Sequence, residues 1–438
     1  MNLVGAIWAG LTNLAAPALR LWLARRARRG KEIPARLDER RGIDPTPRPP
    51  GTLVWLHAAS VGETISILPV LSALVARAAG VEILLTTGTV TAARLLAERL
   101  PALGLHNHVR HRFLPLDIPI WVARFLDHWK PDVAGFVESE LWPNMLAGCR
   151  RRRIPLVLIN ARLSARSFVR WRQVPWFVAP MLDAVHAVQA QSEVDANRFR
   201  ALGVARVTAP GNLKFSAPEL PVDAAELARL RGLLADRPAW VAASTHPGED
   251  EQIFAVHQSL MGQFPDLLTI LAPRHPERGA AIAAAARKSG LSVTCRSTGA
   301  APPPSAGVWI ADTLGELGLL YRLAPVAFVG RSLIAPGGGQ NPLEPARLGC
   351  AVAIGPHAGN FADIVAALEA AGALARVADI AALTAWVGDM LATPDRRAAM
   401  GAAGQAACAR HENLPAQVAE SLFQLAKSLP SSPMGRAA

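Results

Sequence analysis

Trp55-Leu56-His57-Ala58-Ala59-Ser60-Val61-Gly62-Glu63 decides how this chain is read. It continues an apolar run from Thr52, passes through three small residues, and enters a helix expected to start near Gly62. A strand that ends in a small-residue turn and feeds a helix is the first βα unit of an open parallel sheet. Such sheets bind ligands at the carboxyl ends of their strands. Glu63 falls there, in the first helical turn. The helix N-terminus favours its ionised form, whereas a dry cleft would raise its pKa and make it a better base. Two readings stand: a carboxylate that only complements the helix dipole, and a general base.

The same alternation extends on both sides. Strands are expected at 53–57, 82–87, 112–116, 133–137, 156–160, 184–189 and 206–209, with helices between them. Gly211-Asn212-Leu213-Lys214-Phe215, followed by Pro218 and Pro221, reads as a crossing between domains, with Lys214 at the mouth of a cleft. A second series follows at 240–244, 267–272, 291–294, 308–311, 326–330 and 351–354. The chain has 438 residues, too many for one ordinary core. The expected division is 1–31, 32–213 and 214–438.

Ahead of the first domain, residues 3–19 are mostly apolar, and Arg20, Arg25, Arg26, Arg28, Arg29 and Lys31 follow. A cleavable signal has its charge before the apolar run. Charge after the run places the remainder on the cytoplasmic side. The run is short for a span, which needs about 20 residues. A spanning anchor, an interfacial helix and a core helix all remain open. The net charge of +12 suits an anionic partner. Four scattered cysteines without a Cys-x-x-Cys motif exclude a disulfide framework and structural zinc as the organising principle. His106, His108 and His111 lie in a loop with no acidic ligand close by, and no Asp-x-Asp pair occurs, so no metal site is expected.

Several turns carry chemistry. Glu138 and Glu140 follow the strand 133–137, and only one of the two is expected to face a cleft. Residues 162–172 interleave Arg162, Arg166, Arg170 and Arg172 with Phe168 and Trp171, which suits either a phosphorylated lipid or a packed helix with a charged outer side. Ser244-Thr245-His246-Pro247-Gly248-Glu249 offers hydroxyls for capping a helix. Pro273-Arg274 puts a guanidinium at a strand end. Gly337-Gly338-Gly339-Gln340-Asn341-Pro342-Leu343-Glu344 is expected to bring backbone N–H groups to a phosphate ahead of a helix dipole.

Two doubly wound Rossmann-like domains, a cleft between them and a nucleotide-type site in the second half describe the GT-B glycosyltransferase architecture, here with an N-terminal membrane-anchor helix. The motifs HAASVGE (57–63), ESELWPN (138–144), NARLS (160–164), GNLKF (211–215), ASTHPGE (243–249), APRHPER (272–278), DTLGEL (312–317) and GGGQNPLEPA (337–346) together resemble the 3-deoxy-D-manno-octulosonate (Kdo) transferases of lipopolysaccharide assembly. The resemblance implies inverting, metal-free and cofactor-free transfer of Kdo from CMP-Kdo to the lipid A precursor. It would take place on the cytoplasmic face of the inner membrane, against anionic lipid and with no nucleic-acid partner. Glu63 is then similar to the family's base, and Glu140 and Lys214 to the groups that steady the transition state. Pro273, Arg274, Gly315, Glu316, Leu317, Asn341, Pro342, Leu343 and Glu344 are similar to its CMP contacts. Gln340 replaces a usual histidine, and Arg331 stands where glycine is common. Two rivals remain open: the same architecture with another donor such as a UDP-sugar, and a non-catalytic basic protein that binds membrane or nucleic acid.

Overall fold

The computed structural model describes residues 3–77 and 80–428. Met1 and Asn2 of the expected anchor, and 429–438 of the expected second domain, lie outside the described residues. The chain divides into two compact units, one of residues up to Ala217 together with those from His411, the other Pro218–Arg410.

The first unit is built on β1 (Thr52–Ala58), β2 (Val81–Thr87), β3 (Val109–Phe113), β4 (Val133–Val137), β5 (Leu156–Ala161), β6 (Val185–Ala190) and β7 (Val207–Thr208). Their order across the sheet is β3-β2-β1-β4-β5-β6-β7, and every pairing is parallel. Successive residues of a strand face opposite sides of the sheet. Leu53 and Trp55 therefore enter one apolar cluster with Phe136 and Leu158, whereas Val54 and Leu56 enter another with Val137 and Ile159. Burial on both faces explains why these strands read as continuous apolar runs. The strand order reverses between β1 and β4, the switch point at which doubly wound sheets open a crevice.

The second unit repeats the plan with β8 (Ala239–Thr245), β9 (Leu268–Pro273), β10 (Val293–Cys295), β11 (Gly307–Ile310), β12 (Val326–Val329), β13 (Ala351–Ile354) and β14 (Leu374–Arg376). The order is β10-β11-β9-β8-β12-β13-β14, with its switch point between β8 and β12. Each unit's first strand carries a tryptophan whose indole N–H donates to a threonine on the next strand: Trp55 to Thr86 at 2.9 Å and Trp240 to Thr269 at 2.7 Å.

Three sequence expectations shift. The third strand lies at 109–113 rather than 112–116, because Val109 to Phe113 register against Ile83 to Thr87. β14 was not anticipated; three residues in an alanine-rich segment carry no strand signal until β13 pairs with them. The boundary at 214 also moves. Residues 214–217 and 411–428 fold with the first unit, where Leu414, Val418 and Leu422 of the last helix share a core with Ile67 and Leu71.

The amino-terminal segment forms α1 (Leu3–Leu14) and α2 (Ala16–Arg28), broken at Ala15 just before Pro17. No described helix is long and apolar enough to cross a membrane. Leu23 is buried with Ile118 and Trp121, while Ile7, Leu11, Leu14, Leu21 and Trp22 stay exposed. Within the stretch 162–172, Ala165–Arg172 form a helix whose Phe168 and Trp171 pack on the core while Arg166, Arg170 and Arg172 face outward.

Candidate active site

The turn after β1 caps the helix that follows it. Helix α3 (Val61–Arg77) begins one residue before the expected start. The Glu63 N–H donates to Ser60 Oγ at 3.3 Å, the Ser60 hydroxyl donates to Glu63 Oε1 at 2.7 Å, and the Ala59 N–H donates to Oε2 at 2.8 Å. The carboxylate does cap its helix, and it also occupies the crevice position. Glu63 is only 8% exposed. Burial pushes its pKa up, the Ser60 and Ala59 hydrogen bonds pull it down, and the charges of Glu138 and Glu140 push it up again; the net direction is upward. A cap alone would be held in the ionised form; here burial works against that charge.

The expectation that only one of Glu138 and Glu140 reaches the crevice is corrected. Residues two apart share one face of a strand, so alternation does not separate them; β4 stops at Val137, Glu138 turns to φ +60°, and both carboxylate charges push the Glu63 pKa up. The Glu138 N–H remains tied to the Ile159 carbonyl at 2.9 Å. Lys214 does not pair with Glu140: its Nζ lies 2.7 Å from Glu138 Oε1. The lysine is delivered by a 3₁₀ turn, Leu213–Ser216, whose Leu213 N–H donates to Asn160 Oδ1 at 2.9 Å. Glu140 accepts the Trp142 indole N–H at 2.6 Å. Burial works against its charge, but His57 and then Trp142 outweigh that and hold its carboxyl below the usual range.

Glu138 and His57 are the residues here that the sequence reading left without a role. His57 is 1% exposed. Its Nδ1 lies 3.0 Å from the Thr86 carbonyl, which can only accept, so Nδ1 carries a proton. Its Nε2 stands 3.6 Å from Glu140 Oε2, just beyond hydrogen-bond distance. A histidine one residue before the end of an otherwise apolar strand was the available signal.

In the second unit, the turns after β8, β9, β11 and β12 carry the expected nucleotide residues. Pro273 ends β9, and the Arg274 side chain is exposed, its N–H tied to the Thr245 carbonyl at 3.0 Å. The glycine loop departs from expectation. Gly338 and Gly339 N–H donate to the carbonyls of His357 and Arg331, so neither is open to a phosphate. The helix behind the loop, Leu343–Arg347, is five residues long and offers little dipole. These glycines serve close packing: a Cβ at Gly337 would meet His357 at 2.3 Å, and one at Gly338 would meet Asn360 at 2.6 Å. Asn341 Nδ2 donates to Glu344 Oε1 at 3.1 Å, and burial pushes the Glu344 pKa up against that bond and the Arg274 charge. Pro342 and Leu343 are buried beside them. Gly315 takes φ +82°, Leu317 starts a helix, and the Glu316 carboxylate is bound to Arg296 at 2.8 Å. The turn 244–249 uses no hydroxyl cap; Gly248 stands at the N-cap and Thr245 donates to Asp250 at 2.7 Å.

Two doubly wound units, the first with a buried carboxylate at its switch point, set the frame, and the relatives of this chain make it a glycosyltransferase. Residues 35–217 match the family model described as 3-deoxy-D-manno-octulosonic-acid transferase (kdotransferase). The chain is 37% identical over 410 residues to the 3-deoxy-D-manno-octulosonic acid transferase of Bordetella pertussis, covering 90% of this chain and 93% of that one. With the Haemophilus influenzae transferase of the same name it is 36% identical over 360 residues, covering 81% and 83%. Its fold resembles the UDP-GlcNAc 2-epimerase from Neisseria meningitidis, with a TM-score of 0.58 at 13% identity, over 85% of this chain and all of that one; that likeness concerns the fold alone. The chain belongs to the 3-deoxy-D-manno-octulosonic acid transferase family.

Proposed function

We propose that the protein transfers Kdo from CMP-Kdo to a hydroxyl of the lipid A precursor, with inversion at the anomeric carbon. The observation that carries this reading is Glu63, a buried carboxylate at the sheet's switch point whose pKa is raised. The acceptor O–H proton passes to Glu63 as that oxygen bonds to the anomeric carbon. The bond from that carbon to the phosphate oxygen breaks, and CMP leaves with the electron pair. The sugar passes through an oxocarbenium-like state, which the ionised Glu140 favours. Lys214 holds Glu138 in place and offsets one of the three carboxylate charges. Arg274, exposed beside the Asn341–Glu344 turn, is assigned to the CMP phosphate.

No divalent metal takes part in this scheme; CMP leaves with one phosphate, which a guanidinium can neutralise. The exposed apolar residues of α1 and α2, followed by the basic residues 25–31, are read as an interfacial anchor on anionic lipid at the cytoplasmic face of the inner membrane. The basic charge is assigned to lipid, not to nucleic acid. The test is to incubate purified protein with CMP-Kdo and detergent-dispersed lipid A precursor, with and without excess EDTA, and to weigh the product. The expected result in both arms is an acceptor heavier by Kdo, with CMP released. No mass gain with CMP-Kdo refutes the donor reading; activity lost to EDTA and restored by magnesium refutes the metal-free scheme.

A further inference from the structure

The carboxyl ends of β8 and β12 are neighbours at the switch point of the second sheet. One buried carboxylate locks the turns that follow them. Glu249, 1% exposed, accepts the His246 N–H at 2.9 Å and the Arg331 N–H at 2.7 Å on Oε2, and the Ser332 and Leu333 N–H groups at 2.9 and 3.0 Å on Oε1. Arg331 itself takes φ +56°, a left-handed conformation that favours glycine. Its carbonyl accepts the Gly339 N–H at 2.8 Å, which ties it to the glycine loop. The backbone of Arg331 is thus held on both sides, while its side chain is exposed. Gln340 Nε2 lies 3.3 Å from His246 Nε2, and the His246 and His275 rings are 5.9 Å apart.

The charges of this cluster are unevenly committed. Arg278 is paired with Asp250. Among the described residues, neither Arg331 nor Arg274 makes a side-chain hydrogen bond or ion pair; Arg274 acts on Glu344 only through its charge. Burial first, and then the Arg331 charge, push His246 below its ordinary pKa, so the guanidinium reaches the His246–Gln340 side of the cluster. Two uncommitted guanidiniums therefore stand on the turns that end β9 and β12, the two strands that flank β8 in one sheet.

We propose that Arg331 binds the carboxylate of the donor sugar while Arg274 binds the phosphate. The assignment rests on the CMP-Kdo reading above. That donor has two anionic groups, the phosphodiester and the carboxylate on the anomeric carbon, on either side of the bond that breaks. A guanidinium fork meets a carboxylate through two parallel hydrogen bonds. Lys214 is committed to Glu138. Arg331 thereby becomes a specificity residue: a nucleotide sugar without the carboxylate leaves its charge unanswered. It also separates donor from product, because the carboxylate departs with the transferred sugar and free CMP lacks it.

The test compares Arg331→Gly, Arg331→Lys and Arg274→Ala with the parent protein for calorimetric binding of CMP, for binding of CMP-Kdo, and for KM and kcat. Glycine adopts φ +56° without strain, so Arg331→Gly keeps the turn. Its KM for CMP-Kdo should rise roughly 10- to 100-fold, the loss of a charge-assisted contact, with CMP affinity changed less than about 3-fold. Arg331→Lys should recover part of the loss, and Arg274→Ala should weaken CMP and CMP-Kdo together. Equal weakening of CMP and CMP-Kdo in Arg331→Gly, or no change in either, overturns the assignment. Parent protein that binds neither ligand refutes the donor reading itself.

Discussion

Replacing Glu63 with glutamine separates its two roles. In the native turn, Oε2 accepts the Ala59 N–H and Oε1 accepts the Ser60 hydroxyl. Glutamine keeps one carbonyl oxygen for Ala59, and its amide N–H can donate to Ser60 Oγ, since a hydroxyl reverses its role by rotation. No buried donor is orphaned, so the stability change should stay within about 1 kcal/mol. The chemistry has no such substitute. Losing the base should lower kcat by roughly 10²–10⁴-fold, or about 3–5 kcal/mol of barrier. The pH dependence has a defined sign. The raised pKa of Glu63 means that the native state favours its protonated form. That stabilisation is complete below the ordinary carboxylate range and is lost as pH rises through the raised value. Glutamine does not titrate, so the difference in melting temperature should move in the variant's favour as pH rises. The parent's kcat/KM should show an acid limb above the ordinary carboxylate range, and the variant's residual rate should lack it. Transfer assays across pH, with thermal unfolding alongside, measure both. Near-normal turnover in a folded variant would remove Glu63 from the role of base.

Lys214→Met should lower turnover by about 10-fold or more and move the acid limb upward, because an unpaired Glu138 adds to the repulsion that Glu63 feels; an unchanged pH profile would mean that the pair is idle. Replacing the exposed Leu11, Leu14 and Leu21 with serine should abolish co-sedimentation with anionic vesicles while the melting temperature stays within about 2 °C; full pelleting of the variant would place the attachment elsewhere. Asp117 accepts the Asn144 and Met145 N–H groups at 3.1 and 2.8 Å, yet burial raises its pKa from 3.8 to about 6. Its contribution is present below the lower value and lost through the upper, so the melting-temperature gap to Asp117→Asn should shift towards the variant between pH 4 and 6, and a gap that is flat with pH would contradict the burial.

Much of this architecture is local in origin. An apolar run followed by small residues and a helical pattern needs only its own few neighbours to form a βα unit. The strands β1, β4 and β13 therefore lie within a residue of where periodicity put them, and Glu63 falls in its expected helical turn. Other features depend on partners far along the chain, which a period of 2 or 3.6 residues does not encode. β14 exists because β13 offers it an edge. The last helix joins the first unit because its Leu414–Leu422 stripe finds α3, although any amphipathic helix carries such a stripe. Glu138 leaves strand geometry because the Ile159 carbonyl holds its N–H and Lys214, brought in by Asn160, holds its carboxylate. Arg331 gains its place because Glu249, 82 residues earlier, collects the N–H groups of two turns. A hydrogen-bonding or charged group commits to whichever partner the fold presents at close range in a dry place, and that partner is a property of the folded surface rather than of the neighbouring sequence.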